Sequence, residues 1–224
     1  MPSLIIIRFA GGRYKRPFIN IQFMENKIYH VVLTGGPCGG KTTALQSVSR
    51  HFSEMGFQVF ALPEVPTLFS EAGVDFLTSD KRMFKAMEVA VLRMQQFLED
   101  QFAFISSHSG KPALIISDRG LLDVKAYLSE AQWQEILEEL GVTELELASR
   151  YDVVVHLVTA ADGAETFYTL ENNLHRTEGP ELARQLDRKL IQAWTKHGRH
   201  CVIDNSTGFE KKIEKVIQAI EAVI

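Results

Sequence analysis

The sequence has little cysteine, no surplus of positive charge and no long apolar run. Its two cysteines, Cys38 and Cys201, lie far apart and are expected to be reduced thiols of an intracellular protein. The formal net charge of −4 argues against broad electrostatic binding, so no nucleic-acid partner is expected. No apolar run approaches the roughly 20 residues of a membrane-spanning helix. We therefore expect no transmembrane segment and a cytoplasmic protein.

Two common nucleotide-binding motifs are also missing. The glycines of residues 35–40 do not fit G-x-G-x-x-G, which excludes a Rossmann dinucleotide site. No N-K-x-D motif follows the later predicted strands, and Asp118 does not lie in D-x-x-G. A Ras-type switch is therefore not expected.

The first 27 residues differ from the rest of the chain. An apolar run at residues 4–7 is followed by two glycines and three basic residues. Residues 1–27 are interpreted as an N-terminal extension that is a strand, a leader or disordered. Residues 28–224 show no internal repeat or low-complexity linker, so we expect one compact domain there.

Predicted strands and helices alternate along residues 28–224. Short apolar runs rich in β-branched residues predict five strands, at 28–34, 58–62, 113–117, 151–159 and 201–204. Helices are predicted from residue 41 to near residue 56, along residues 84–105 and at the end of the chain, where Ile213, Val216, Ile217 and Ile220 lie on one face. Such alternation predicts an α/β fold built as a three-layer sandwich. In this three-layer sandwich a parallel sheet of about five strands is covered on both faces, and ligands bind at the carboxyl ends of the strands.

The long second helix has the clearest periodic pattern. Its apolar residues recur every three or four positions and predict one stripe packed in the core. The stripe comprises Phe84, Met87, Val91, Met94, Leu98, Phe102 and Ile105.

The most specific motif follows the first predicted strand and fits G-x-x-x-x-G-K-[ST]. It comprises Gly35, Gly36, Pro37, Cys38, Gly39, Gly40, Lys41 and Thr42. Glycines allow positive φ angles, so backbone N–H groups can turn around an anion, and the following helix adds its N-terminal dipole. We expect these residues and Thr43 to bind the phosphates of ATP or GTP. Lys41 would reach the β and γ phosphates, and the Thr42 hydroxyl would hold Mg²⁺.

Carboxylates follow two other predicted strands. Asp118 ends the third strand as a Walker B acid does, and it is predicted to reach Mg²⁺, although Asp also favours a helix N-cap. Glu64 follows the second strand, where it would orient or deprotonate an acceptor hydroxyl, or be a solvated loop residue. Asp123 is a weaker candidate of the same kind as Asp118.

A basic stretch at residues 172–180 leads into a polar helix before the last strand. Small-molecule P-loop kinases place a mobile lid at this point, and the planar arginine side chain binds phosphate oxygens with two bonds. We predict Arg176 and Arg184 as lid arginines. The alternative is a surface helix with i,i+4 ion pairs. Asn205, after the last strand, is predicted to bond either a purine edge or its own loop backbone.

Three segments carry a resemblance to a known family. They are DRGLLDVKAY at 118–127, YDVVVHLVTAA at 151–161 and VIDNSTGFE at 202–210. Over residues 28–223 the chain resembles the P-loop ATPase domain that is shared by TRPL translocation defect proteins and by the ribosylnicotinamide kinase domain of bacterial NAD regulators. Residues 172–194 and 202–210 are most similar to the translocation defect branch.

This resemblance implies a nucleoside-kinase-like fold, Mg²⁺ with ATP or GTP, and phosphoryl transfer to a small molecule. The translocation defect branch also includes GTP-binding proteins that recognise phosphoinositides and carry a CYTH-type C-terminal domain. The chain ends at Ile224 without that domain, so phosphoinositide contact is expected only by family analogy.

Two functions remain open at this point. The first is a small-molecule kinase or NTPase that uses Lys41, Glu64 and Asp118 with the lid arginines. The second is a regulatory protein that binds ATP or GTP and turns it over slowly or not at all. The strand-end carboxylate and the lid favour the first, and the closer branch of the resemblance favours the second.

Overall fold

The structure is a computed structural model that describes residues 27–168 and 179–224. Five parallel strands form one sheet in the order β2-β3-β1-β4-β5. The strands are β1 (Ile28–Thr34), β2 (Gln58–Leu62), β3 (Ala113–Asp118), β4 (Val153–Leu157) and β5 (His200–Ile203). The three central strands are apolar along almost their whole length because both faces of the sheet are covered.

Helices connect the strands. They are α1 (Lys41–Glu54), α2 (Val65–Glu71), α3 (Lys81–Ser107), α4 (Glu130–Leu140), α5 (Glu144–Ala148), α6 (Pro180–Ala193) and α7 (Phe209–Glu221). In the part of the chain that the structure describes, 3₁₀ helices span Leu121–Tyr127 and Glu165–Phe167. Capping boxes at Ser129 and Thr143 begin α4 and α5, and Gly141 ends α4 in the left-handed conformation.

Each face of the sheet has its own apolar core. Phe52 of α1 and Val216 of α7 pack with Leu114 of β3 on one face. Trp133 of α4 and Trp194 after α6 pack on the other face, together with residues of α3. Both tryptophans are fully buried. The predicted three-layer α/β sandwich is therefore confirmed.

The predicted strands agree with the observed ones to within about two residues at each end. Parallel pairing places Leu33 of β1 opposite Asp118 of β3, so the segments that follow these strands meet at one edge of the sheet. The short helices α2, α4 and α5 were not predicted. Residues 1–26 and Arg176 lie outside the described residues, so their assignments stay predictions.

The prediction that the whole apolar stripe of α3 lies in the core was wrong. Met94 and Ile105 are 37% and 48% exposed, whereas Val91 is buried. The buried face also carries polar residues, and it comprises Glu88, Val89, Val91, Leu92, Gln95, Glu99 and Ser106. The carboxylate of Glu99 therefore lies at the centre of the buried side of α3.

Hydrogen bonds explain how that carboxylate is accommodated. Glu99 is fully buried and accepts hydrogen bonds from the Tyr151 hydroxyl at 2.7 Å, from Gln95 Nε2 at 2.9 Å and from Arg150 Nε at 3.0 Å. A buried carboxylate is tolerated when it is paired in this way. Hydrophobic periodicity alone does not detect such a network. None of the described helices is both long enough and apolar enough to cross a membrane.

Candidate functional site

The phosphate loop connects β1 to α1 in a conformation that needs glycine. Gly35 has a φ of 139°, and a Cβ atom there would lie 2.1 Å from the carbonyl oxygen of Leu157. Gly40, the N-cap residue of α1, has a φ of 92°. Because glycine has no side chain, it leaves the N-terminus of α1 without a side-chain cap. The first backbone N–H groups of α1 and the helix dipole can therefore serve an anion.

Lys41 begins α1 and lies across the loop. Its Nζ donates to the carbonyl oxygen of Gly35 at 3.2 Å. Burial lowers the pKa of Lys41, and the charge of Arg119 lowers it further, while Asp118 and Glu64 act in the opposite direction. Thr42 and Thr43, in the first turn of α1, are exposed. The predicted phosphate-binding residues of the loop thus share one site with the carboxylates of β2 and β3.

A buried carboxylate from α6 holds the loop from the β4 side. Asp187 Oδ1 accepts from the backbone N–H of Gly36 at 2.7 Å and from that of Thr159 at 3.2 Å, and it lies 3.0 Å from His156 Nε2. The Thr159 hydroxyl donates to the carbonyl oxygen of Pro37 at 2.5 Å. Sequence reasoning missed this contact of Asp187, because no local pattern links residues 151 positions apart.

The ends of β2 and β3 are joined by an ion pair. Arg119 has a φ of 71°, and its Nε donates to Glu64 Oε1. Burial would raise the pKa of Glu64, but the charges of Arg119 and Lys41 outweigh it, and the pKa is lowered below its usual value. Glu64 is therefore an ionised hydrogen-bond acceptor at neutral pH. Sequence reasoning gave Arg119 no role, although a charged residue directly after the Walker B acid was the available signal.

Two neighbouring residues at this edge have buried polar atoms without partners. Within the described residues, neither Asp118 Oδ1 nor Arg119 Nη1 has a hydrogen-bond partner. Burial raises the pKa of Asp118, although the charge of Lys41 acts in the opposite direction. Native structures rarely leave such groups unsatisfied, so these atoms point to a ligand. An orphan carboxylate oxygen fits the oxygen ligands that Mg²⁺ prefers.

Asp123 connects neighbouring segments of the described chain by hydrogen bonds. Its two carboxylate oxygens accept from the Thr34 hydroxyl at 2.7 Å, from Trp194 Nε1 at 2.7 Å and from the backbone N–H of Gly120 at 3.2 Å. These bonds join the end of β1 to the 3₁₀ helix after β3 and to the segment after α6. Both carboxylate oxygens of Asp123 therefore already accept hydrogen bonds from the protein.

The two other predicted site residues that the structure describes are held by protein contacts. Arg184 donates from Nη1 to the carbonyl oxygen of Ala161 at 2.6 Å and from Nε to Glu181 at 3.2 Å. Asn205 Nδ2 donates to the carbonyl oxygens of Thr159 and Asp162 at 2.8 Å and 2.6 Å. Both carbonyl oxygens belong to the loop after β4 and not to Asn205's own loop, and the contact with a purine stays a prediction.

Two residues of α7 lie at this site without having been predicted there. Lys212 is buried and donates to Asn205 Oδ1 at 2.7 Å and to the carbonyl oxygen of Val158 at 2.8 Å. Burial lowers the pKa of Lys212 to about 8. The ring of Phe209 covers Gly40 so closely that a Cβ atom there would lie 2.6 Å from it. The segment after β5 therefore borders the phosphate loop.

The strand order and the loop between β1 and α1 define the chain as a domain of the P-loop NTPase class. Residues 30–212 match the family model AAA_28, described as an AAA domain, and the chain belongs to this family.

The structure is also similar to that of NadR protein in complex with NAD and AMP-PNP. The TM-score is 0.57 and the sequence identity is 14%, over 87% of this chain and 49% of that chain. This chain thus spans about half the length of that protein's chain. The similarity shows a common fold.

Proposed function

We propose that the chain binds ATP or GTP with Mg²⁺ and transfers the γ-phosphoryl group to a hydroxyl of a small, nucleoside-like acceptor. The observation that carries the proposal is the cluster of Lys41, Asp118, Arg119 and Glu64 at one edge of the sheet. This cluster combines a phosphate-binding lysine, an orphan carboxylate oxygen, an orphan guanidinium nitrogen and an ionised glutamate.

Each residue has a distinct task in such a transfer. Lys41 and the N-terminus of α1 bind the phosphates and stabilise the negative charge that develops on them. Arg119 Nη1 is free among the described residues to donate to a phosphate or acceptor oxygen. Glu64 accepts a hydrogen bond from the acceptor hydroxyl. As that oxygen bonds to the γ-phosphorus and the bond to the nucleoside diphosphate breaks, the hydroxyl proton passes to Glu64.

Thr42 and Asp118 would hold Mg²⁺, and the metal would supply charge neutralisation for the phosphates. No group of three or more His, Cys, Asp or Glu residues suited to a metal occurs in residues 27–168 and 179–224. Mg²⁺ is usually bound by one or two carboxylates together with the phosphates of the nucleotide. Arg176 and Arg184 are proposed to close over the phosphates.

The ion pair between Arg119 and Glu64 favours a second candidate function. A glutamate that is held by arginine and has a lowered pKa is a weak base. The chain would then be a slow NTPase or a nucleotide-binding regulator, in line with its resemblance to the translocation defect branch. A loose phosphoryl-transfer transition state needs little base strength, so we place the kinase first.

The test is release of nucleoside diphosphate from ATP and GTP across a panel of nucleosides and vitamins. We expect at least one acceptor to stimulate release, and Glu64→Gln to remove the stimulation while nucleotide affinity is retained. Glu71→Gln, at an exposed position in α2, is the matched control. Release that no acceptor stimulates and that Glu64→Gln leaves unchanged would overturn the kinase and leave the second candidate.

A further inference from the structure

Helix α3 carries an apolar stripe on the side that faces away from the core. Its positions follow one another at alternating intervals of four and three residues. They are Met83, Met87, Ala90, Met94, Phe97, Gln101, Phe104 and His108, the last being the C-cap residue of α3. The stripe extends over about 39 Å of helix, at 1.5 Å per residue.

This stripe is poorly covered by the described part of the chain. Met83, Phe97 and Phe104 are 52%, 57% and 63% exposed. Single exposed apolar residues are common, but several large ones along one side of a helix indicate an interaction surface. Gln101 and His108 are the polar members of the row, and the ring of His108 packs 4.6 Å from that of Phe104.

Alternating intervals of four and three residues give a mean period of 3.5, which is the period of a coiled coil. The surface therefore fits another α-helix that packs at about 20° with interlocking side chains. One flank of the stripe, with Val91 and Leu98, turns towards the core of the domain. The other flank carries Arg93 and Asp100, which are seven residues apart and on the same side.

We propose that α3 pairs with α3 of a second copy of this chain in an antiparallel arrangement. In this arrangement Met94 packs against the partner's Phe97, and Met87 against the partner's Phe104. The same register sets Arg93 opposite the partner's Asp100, and the two-fold axis repeats the pair. Opposite charges in these flanking positions are what fixes the orientation of a coiled coil. A parallel pair would instead set Arg93 against the partner's Leu98.

The two charged residues are available for this contact. Arg93 lies 4.0 Å from Glu139 with 62% of its side chain exposed, and Asp100 lies 2.5 Å from Arg150 with 60% exposed. Both therefore retain room for a second ion pair. The surface is self-complementary, as a two-fold symmetric dimer requires.

Sedimentation velocity of the full chain over a range of concentrations tests the dimer. We expect a monomer–dimer equilibrium that Phe97→Glu weakens roughly tenfold or more, as for a central interface residue. The matched control is Leu145→Glu, which places the same charge at a residue that is 74% exposed outside the stripe. A chain that remains monomeric at its highest soluble concentration, or a dimer that Phe97→Glu leaves intact, overturns the proposal.

Two further sets of variants test the orientation. Arg93→Glu should weaken the dimer, and adding Asp100→Arg should restore it, because the reversed charges meet again across the two-fold axis.

The second set introduces cysteines for cross-linking. In the variant that combines Arg93→Cys with Asp100→Cys, the two thiols cannot bond within one helix because they are about 10 Å apart along its axis. With an added mild oxidant such as oxidised glutathione, an antiparallel dimer should form a disulfide between chains, and each single cysteine variant should show no such link. A dimer without this link overturns the antiparallel register.

Discussion

Arg119 and Glu64 form an ion pair that joins the carboxyl ends of β3 and β2 beside the phosphate loop. Arg119 is held in the left-handed region, and its backbone N–H donates to the carbonyl oxygen of Leu33 at 3.0 Å. The side chain therefore turns across the strand ends towards Glu64. This pair fixes the ionised glutamate next to Lys41.

Removal of Arg119 should change the pH dependence of turnover. Burial raises the pKa of Glu64 and Arg119 opposes it, so Arg119→Gln should raise that pKa. The acid limb of the pH profile of kcat/KM should then move to higher pH. Arg119→Lys keeps the charge and should move the limb less. An unchanged profile in Arg119→Gln would show that Glu64 does not act as the base.

Lys41 should be needed for nucleotide binding. A phosphate contact from a lysine is a charge-assisted bond, so Lys41→Ala should weaken ATP or GTP binding by roughly 30-fold or more. Isothermal titration calorimetry measures the affinity. Lys189→Ala, at an exposed position of α6, removes the same charge and should leave the affinity near that of the wild type. Equal affinities in both variants would exclude the phosphate loop as the binding site.

Asp187 should stabilise the fold around the phosphate loop. Its replacement by alanine leaves the backbone N–H groups of Gly36 and Thr159 without acceptors. We expect Asp187→Ala to lower the free energy of unfolding by about 2–4 kcal/mol, since buried donors are costly to leave unpaired. Urea denaturation measures this, with the exposed Arg188→Ala as control. A loss no larger than that of the control would mean that the loop keeps its shape without Asp187.

Glu88 should make stability fall as pH rises. Burial raises its pKa from 4.5 to about 7, so between these values the folded state holds a proton that the unfolded state has released. The contribution of the Glu88 carboxyl to the free energy of unfolding is fully present below pH 4.5 and is lost as pH rises through about 7. The free energy of unfolding of Glu88→Gln, taken relative to that of the wild type, should therefore rise by on the order of 2–3 kcal/mol from pH 5 to pH 8. Thermal denaturation across this range checks the trend, and a difference that is independent of pH would contradict it.

Local patterns predicted the strands and the phosphate loop, because Gly35 to Thr42 and the acids at the strand ends depend on residues next to them in the chain. The contacts of Asp187 and Phe209 with the loop were not predictable, because they join residues more than 150 positions apart in the chain. The prediction for the apolar stripe of α3 was wrong for another reason. The helix is apolar on two sides, and its buried face is centred on the hydrogen-bonded Glu99, which a hydrophobic pattern counts as solvent-exposed.

The most direct measurement follows a radiolabelled γ-phosphate from ATP or GTP in the presence of the acceptor that best stimulates turnover. Phosphoryl transfer predicts that the label appears on the acceptor, and that Glu64→Gln reduces this transfer by roughly 100-fold or more while Glu71→Gln does not. Label that appears only in inorganic phosphate, at the same rate in Glu64→Gln and in the wild type, would contradict the proposed kinase.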